Sequence, residues 1–217
     1  VTTPYINLHT HHLPKEDGVF LFNNRFGVDE DIYTGKYFSA GIHPWDAGRQ
    51  IPMSELEQLV SHTNCLAIGE CGLDKLKGPD IAVQKKVFEA QLELAQQYQK
   101  PVIIHCVKAF DELIEICIPY MNKIPLIIHG FNKSEQLAAQ LIHKGFCLSL
   151  QSSLFSKNDF NFNALPLESI FLETDTNAHL LMSEVYQKAA LAFNQSEHKL
   201  KEKIYSNFTA LFKHYGR

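Results

Sequence analysis

Four histidines and two carboxylates in this chain are spaced so that they can act together. His9 and His11 are two residues apart, so on a strand both imidazoles point to one face. Glu70, His105 and His129 each end a short apolar run, and Asp175 follows the run Ile170-Phe171-Leu172. Imidazole and carboxylate are ligands suited to Zn, Mn, Fe or Mg. Six such groups are too many for one tetrahedral ion and match two ions sharing a bridging carboxylate, with Glu70 central in strand order. A lone histidine at a strand end is ordinarily a hydrogen-bonded core or loop residue. Six ligand-type side chains at strand ends form a constellation that packing alone does not explain.

Those strand ends need a framework. Apolar runs recur along the chain: Tyr5–His9, Val19–Phe22, Tyr37–His43, Leu66–Glu70, Val102–His105, Leu126–His129, Phe146–Leu150 and Ile170–Leu172. Continuous β-branched runs of this kind suit strands buried on both faces of a parallel sheet. Helical stretches separate most of them. Ser54-Glu55-Leu56-Glu57 reads as a capping box, and Asp80 as the cap of a helix with the stripe Ile81, Phe88, Leu92, Ala95. The stripe Phe110, Leu113, Ile114, Cys117, Ile118 runs until Pro119, and Leu137 to Ile142 forms the next, with Gly145 as its C-terminal cap. Eight strands alternating with helices predict one TIM-type (β/α) barrel domain over residues 1–217, with its site at the C-terminal strand ends. Only Leu13 to Gly18 joins the first two strands, so the first helix is expected to be missing.

Composition narrows the class. The chain has 217 residues, 45% hydrophobic and 20% charged, with a net charge of −4. Three of its 20 basic residues are arginine (Arg25, Arg49, Arg217), so any polyanion contact has to be local. Five cysteines without a C-x-x-C pair argue against a disulfide scaffold and for a reducing compartment. No apolar run approaches membrane-spanning length, which leads us to expect a cytoplasmic protein with no membrane association and no obligate protein partner.

At its polar strand ends the sequence resembles the TatD-related metal-dependent hydrolases, a branch of the amidohydrolase-like barrels. The resemblance rests on Asn7-Leu8-His9-Thr10-His11, Gly41-Ile42-His43-Pro44 and Ile68-Gly69-Glu70-Cys71-Gly72-Leu73-Asp74. It continues through Pro101 to His105, His129-Gly130-Phe131, Glu173-Thr174-Asp175, and Asn207 with Leu211-Phe212. It implies two divalent ions (Zn, Mn or Mg), one held by His9, His11, Glu70 and Asp175, the other by Glu70, His105 and His129. It also implies phosphodiester hydrolysis, with DNA or another phosphoester as substrate and a deoxyribonuclease as the model activity. Glu70 and Asp175 would be the catalytic carboxylates, Asp175 taking the proton of the attacking water and Glu173 supporting from behind.

The sequence departs from that family at substrate-contact positions. The opening Asp is Asn7, the Arg two residues after the fifth-strand His is Val107, and Thr176 to Leu181 lacks the family's Arg-Gly-x-x-Asn. Roughly one βα unit is absent between His11 and Gly41. His43 and Lys108 are the expected substrate contacts, with Lys133 a further cation and Trp45 a possible stacking face for a base. His12, His62, His143, His179, His198 and His214 read as incidental, the cysteines as core, and Phe155 to Phe162 as a mobile rim or short helix. Two other activities fit the ligand set: hydrolysis of an amide or related C–N bond, and metal binding without turnover. Related barrels often bridge their ions with a carboxylated Lys where this chain has Glu70, which favours phosphoesters.

Overall fold

The structure is a computed structural model that describes residues 3–27 and 36–216. Its strands are β1 (Tyr5–Thr10), β2 (Gly18–Arg25), β3 (Phe38–Gly41), β4 (Cys65–Asp74), β5 (Val102–Val107), β6 (Leu126–Phe131), β7 (Cys147–Leu150) and β8 (Ile170–Leu172). Its α-helices are α1 (Met53–Val60), α2 (Ile81–Tyr98), α3 (Phe110–Cys117), α4 (Glu135–His143), α5 (Met182–Ala192) and α6 (Glu197–Leu211). The eight strands are hydrogen-bonded neighbours in sequence order, and a parallel bridge from Thr10 to Asp175 links the end of β1 to the segment after β8. That connectivity is a TIM-type (β/α) barrel. As expected, no helix lies between β1 and β2. Between β2 and β3, residues 28–35 lie outside the described part.

Contacts group the chain into two compact units. In the first, Val1–Phe22 with Ile128–Leu211, Ile6 and Leu8 of β1 are fully buried, as are Val185, Tyr186 and Ala189 of α5 and Leu200, Ile204 and Phe208 of α6. The Tyr186 hydroxyl accepts from Ile6 N–H (3.1 Å) and donates to Ile6 C=O (3.2 Å), tying α5 to β1. Glu16, in the short link that replaces the first helix, accepts from the backbone N–H groups of Met182 and Ser183 at the start of α5. A carboxylate there satisfies orphan donors and meets the positive end of the helix dipole. Asn207 of α6 donates to the carbonyls of Leu167 (2.6 Å) and Ile170 (3.2 Å), fixing the entry to β8.

The second unit comprises Asn23–Ile127 and Phe212–Arg217. All ten residues of β4 are buried, and α1 and α2 pack on it through Leu56, Val60, Phe88, Leu92 and Ala95. Asp80 caps α2, accepting from Ala82 N–H (2.8 Å). The Ser54 capping box does not form: α1 starts two residues earlier than that box requires, with Pro52 as its cap, which puts Ser54 inside the first turn. Back in the first unit, which also holds α4, the aromatic stretch Phe155 to Phe162 holds short 3-10 turns, and Phe162 is buried against Phe160 (4.5 Å) and Phe193 (5.4 Å). Helix α4 ends as expected, with Gly145 at φ +99 and Phe146 N–H bonded to Leu141 C=O (3.1 Å).

Candidate metal centre

The first unit brings His9, His11 and Asp175 together through backbone register. Asp175 N–H donates to His9 C=O (3.0 Å) and His11 N–H to Asp175 C=O (3.1 Å). Both imidazoles then face one carboxylate oxygen: Asp175 Oδ1 lies 3.7 Å from His9 Nε2 and 3.6 Å from His11 Nε2. This is the shared face that spacing of two predicts. Asp175 adopts φ 51, a left-handed conformation that Asp tolerates better than most residues. His129 packs against His9 at 4.3 Å between ring centroids, and its Nδ1 lies 3.4 Å from Glu173 Oε1. That oxygen also accepts from Gly130 N–H (2.7 Å). Asn7 pairs with Thr174, donating to its hydroxyl (2.8 Å) and accepting from its N–H (3.2 Å).

In the second unit β4 supplies Glu70 and Asp74, four apart and therefore on one face. Glu70 Oε1 lies 2.7 Å from His105 Nδ1 and 3.3 Å from His43 Nε2. His43 Nδ1 accepts from Trp45 N–H (3.2 Å), so the proton of the neutral ring sits on Nε2 and is donated to Glu70. Burial lowers the His43 pKa against the opposing pull of Glu70, which keeps that neutral form. Asn23 accepts from Glu70 N–H (2.8 Å) and reaches its carboxylate at 3.5 Å. Gly69, at φ +138, passes so close to β5 that a Cβ there would lie 2.4 Å from Ile103 C=O.

Two glutamines on the buried face of α2 hold the loops around these groups. Gln91 accepts from Ile42 N–H (2.7 Å) and donates to Ile42 C=O (3.1 Å), fixing the approach to His43. Gln84 accepts from Asp74 N–H (2.8 Å) and donates to the carbonyls of Asp74 (2.9 Å), Lys77 (3.1 Å) and Pro79 (2.9 Å). Asp74 accepts from Trp45 Nε1 (2.7 Å) and lies 3.4 Å from His105 Nε2. Burial alone would raise the Asp74 pKa, but the indole, Leu76 N–H and His105 together hold it below the usual carboxylate value. In the sequence Asn23, Gln84 and Gln91 carry no motif, and Asp74 stands only as the last residue of the Ile68–Asp74 stretch. A buried glutamine looks polar in a hydrophobic stripe, and only the heptad spacing of Gln84 and Gln91 hinted that they share a face.

The donor atoms suit divalent ions. Among the described residues, ligand atoms of His9, His11 and Asp175, of His129, Glu173 and Asp175, and of His43, Glu70 and His105 each lie within 4.8 Å of one another. Glu173 is 1% exposed, yet its Oε2 has no hydrogen-bond partner among the described residues. A buried carboxylate oxygen without a donor is costly unless a cation meets it. His12 turns away to Thr176 C=O (3.0 Å), and Lys108 and Lys133 stand exposed just beyond β5 and β6. Cys71 points from β4 toward Ile103 C=O (3.9 Å), and burial pushes its thiol well above the ordinary value. That chemistry is core packing.

The family model of the TatD-related DNases matches residues 28–213. The chain belongs to that family. Among curated members, the 3'-5' ssDNA/RNA exonuclease TatD of Cronobacter turicensis is 31% identical over 172 residues, 75% of this chain and 65% of that protein. The enzyme of the same name from Edwardsiella piscicida is 31% identical over 159 residues, 69% of this chain and 61% of that one. The chain thus spans a little under two thirds of the length of these relatives. The solved TatD homologue YjjV of Escherichia coli shares the fold with a TM-score of 0.79 at 22% identity, covering 96% of this chain and 98% of its own. A TatD family hydrolase from Entamoeba histolytica superposes with a TM-score of 0.75 at 13% identity, covering 97% and 98%.

Proposed function

We propose that this TatD-family chain is a two-metal phosphodiesterase acting on nucleic acid, with the DNA or RNA ends named for its relatives as the substrate class. The observation that carries the reading is that each unit holds a histidine–carboxylate set of its own, one around Asp175 and one around Glu70. His9, His11 and Asp175 would hold one ion and His105 and His129 the other, with Glu70 serving both. Bound divalent ions would lower the pKa of water from 15.7 toward ~7 and stabilise the attacking and leaving oxygens. The protein's own groups do the rest. Asp175 is the most exposed carboxylate of the set, its side chain 20% accessible, so it is the group to accept the water's proton. His43 and Asn23 hold the Glu70 carboxylate, and Glu173 with Gly130 holds the strand bearing His129.

An anionic substrate meets a chain of net charge −4, so attraction must come from local cations, for which Lys108 and the Trp45 neighbours Arg25 and Lys77 are placed. Among the described residues no helix is long and apolar enough to cross a membrane. All five thiols are free, which suits a reducing, cytoplasmic setting. The test is a substrate panel of single-stranded DNA, RNA, bis-nitrophenyl phosphate and N-acyl amides, each with Mg, Mn or Zn. Metal-dependent cleavage of the phosphodiesters supports the proposal. Cleavage of amides alone, or no turnover by protein with both ions bound, overturns it.

A further inference from the structure

We propose that Trp45 is the base-stacking platform of the substrate site, taking one unpaired nucleobase on its face while the Lys77 ammonium meets the adjoining phosphate. The proposal deepens the reading of the chain as a nucleic-acid phosphodiesterase and rests on it. Trp45 is the sole tryptophan and is 37% exposed. A single exposed aromatic is ordinary by itself. This one stands beside the Glu70 set: its ring lies 4.6 Å from that of His43 and 6.1 Å from that of His105, nearly perpendicular to both.

The ring is held in place before any ligand arrives. Trp45 Nε1 donates to Asp74 Oδ2 (2.7 Å), while Asp74 Oδ1 accepts from the N–H groups of Leu76 (2.8 Å) and Lys77 (3.2 Å). One buried carboxylate thus fixes both the indole and the turn that carries Lys77. Lys77 Nζ stands 4.4 Å from the ring centroid and the Arg25 guanidinium 5.4 Å. Arg25 is committed to Asp46 (2.6 Å), whereas no carboxylate pairs with the Lys77 ammonium among the described residues. An exposed lysine on an aromatic face is worth about two- to fivefold in affinity, and a stacked base about 5- to 150-fold. A base therefore displaces the ammonium, which moves on its flexible stem to the phosphate. Every base has a π-face, so the platform takes DNA and RNA alike but demands a base that is unpaired.

The experiment uses the whole protein with magnesium and two probes: a phosphorothioate tetrathymidylate, which resists cleavage, and an abasic oligomer of the same length and charge. In the wild type the thymidylate should quench Trp45 emission and bind about 5- to 150-fold more tightly than the abasic oligomer. Trp45→Leu should erase that preference. Trp45→Phe, which keeps an aromatic face without the N–H to Asp74, should restore most of it. Lys77→Ala should weaken both oligomers alike and lower the slope of log affinity against log salt by about 0.7. Unquenched emission with thymidylate bound overturns the proposal, as does a preference for thymidylate that survives in Trp45→Leu, or an unchanged salt slope in Lys77→Ala. Should Trp45→Leu fail to fold, the quenching and the preference of the wild type decide. Wild-type protein that binds neither oligomer and cleaves no phosphodiester overturns the nucleic-acid reading itself, a separate result.

Discussion

Replacing Gln84 by leucine removes the clamp on the Asp74 turn while nearly preserving side-chain volume. Gln84 is 2% exposed, and its amide makes one bond as acceptor and shares two protons among three carbonyls. Counting these as about three effective bonds at roughly 0.5–1.5 kcal/mol each gives a loss of about 1.5–4.5 kcal/mol. For a chain of this size that corresponds to a fall in Tm of roughly 3–18 °C. Trp45 is the sole tryptophan and its indole is bonded to Asp74, so intrinsic fluorescence reads the same place. Urea unfolding followed by circular dichroism gives the free energy, and Trp45 emission should shift to the red in the folded variant. A loss below about 1 kcal/mol with unchanged emission would show that the Asp74 turn stands without Gln84, and the reasoning above would fail.

Other substitutions probe other links. Asp175→Asn should bring metal-dependent turnover close to background while leaving the unfolding midpoint near wild type; undiminished turnover would remove Asp175 from proton handling. Lys100 is buried and donates to Val60, Cys65 (2.6 Å) and His62 (3.4 Å) carbonyls, and burial lowers its pKa below the ordinary 10.5. The folded state therefore binds fewer protons than the unfolded chain as pH approaches 10.5 from below, so stability from this group rises with pH in that window. Urea unfolding between neutral pH and that value should show the rise in wild type and its loss in Lys100→Met; parallel curves would contradict the assignment. Glu16→Ala should cost about 0.5–2 kcal/mol by uncapping α5, read by thermal unfolding. No measurable change would mean that the short β1–β2 link does not anchor that helix.

The ligand-type residues were legible because a polar residue ending an apolar run stands out. His9, Glu70, His105 and His129 all interrupt strands that are otherwise buried. The missing first helix was legible from chain length alone. The apolar run of β2 ends at Phe22 in the sequence, yet the strand continues to Arg25 with both Asn23 and Asn24 buried. Asn23 is polar because it holds Glu70. Gln84 and Gln91 are hidden in the same way, since their partners are backbone groups of the Asp74–Pro79 turn and of Ile42, which no periodicity can register. Ser54 shows the reverse case, a motif with the right residues two positions past the actual cap of the helix it was expected to start. Side chains that touch the ligands are typed by chemistry and can be read directly. Those that hold them are typed by geometry and need the fold.

The central claim, two divalent ions with Glu70 common to both, is tested most directly by metal content. Protein purified without chelator and dialysed against metal-free buffer should carry close to two ions per chain by elemental analysis, and folded Glu70→Ala should lose most of both. Two ions retained in Glu70→Ala would contradict the shared role of Glu70.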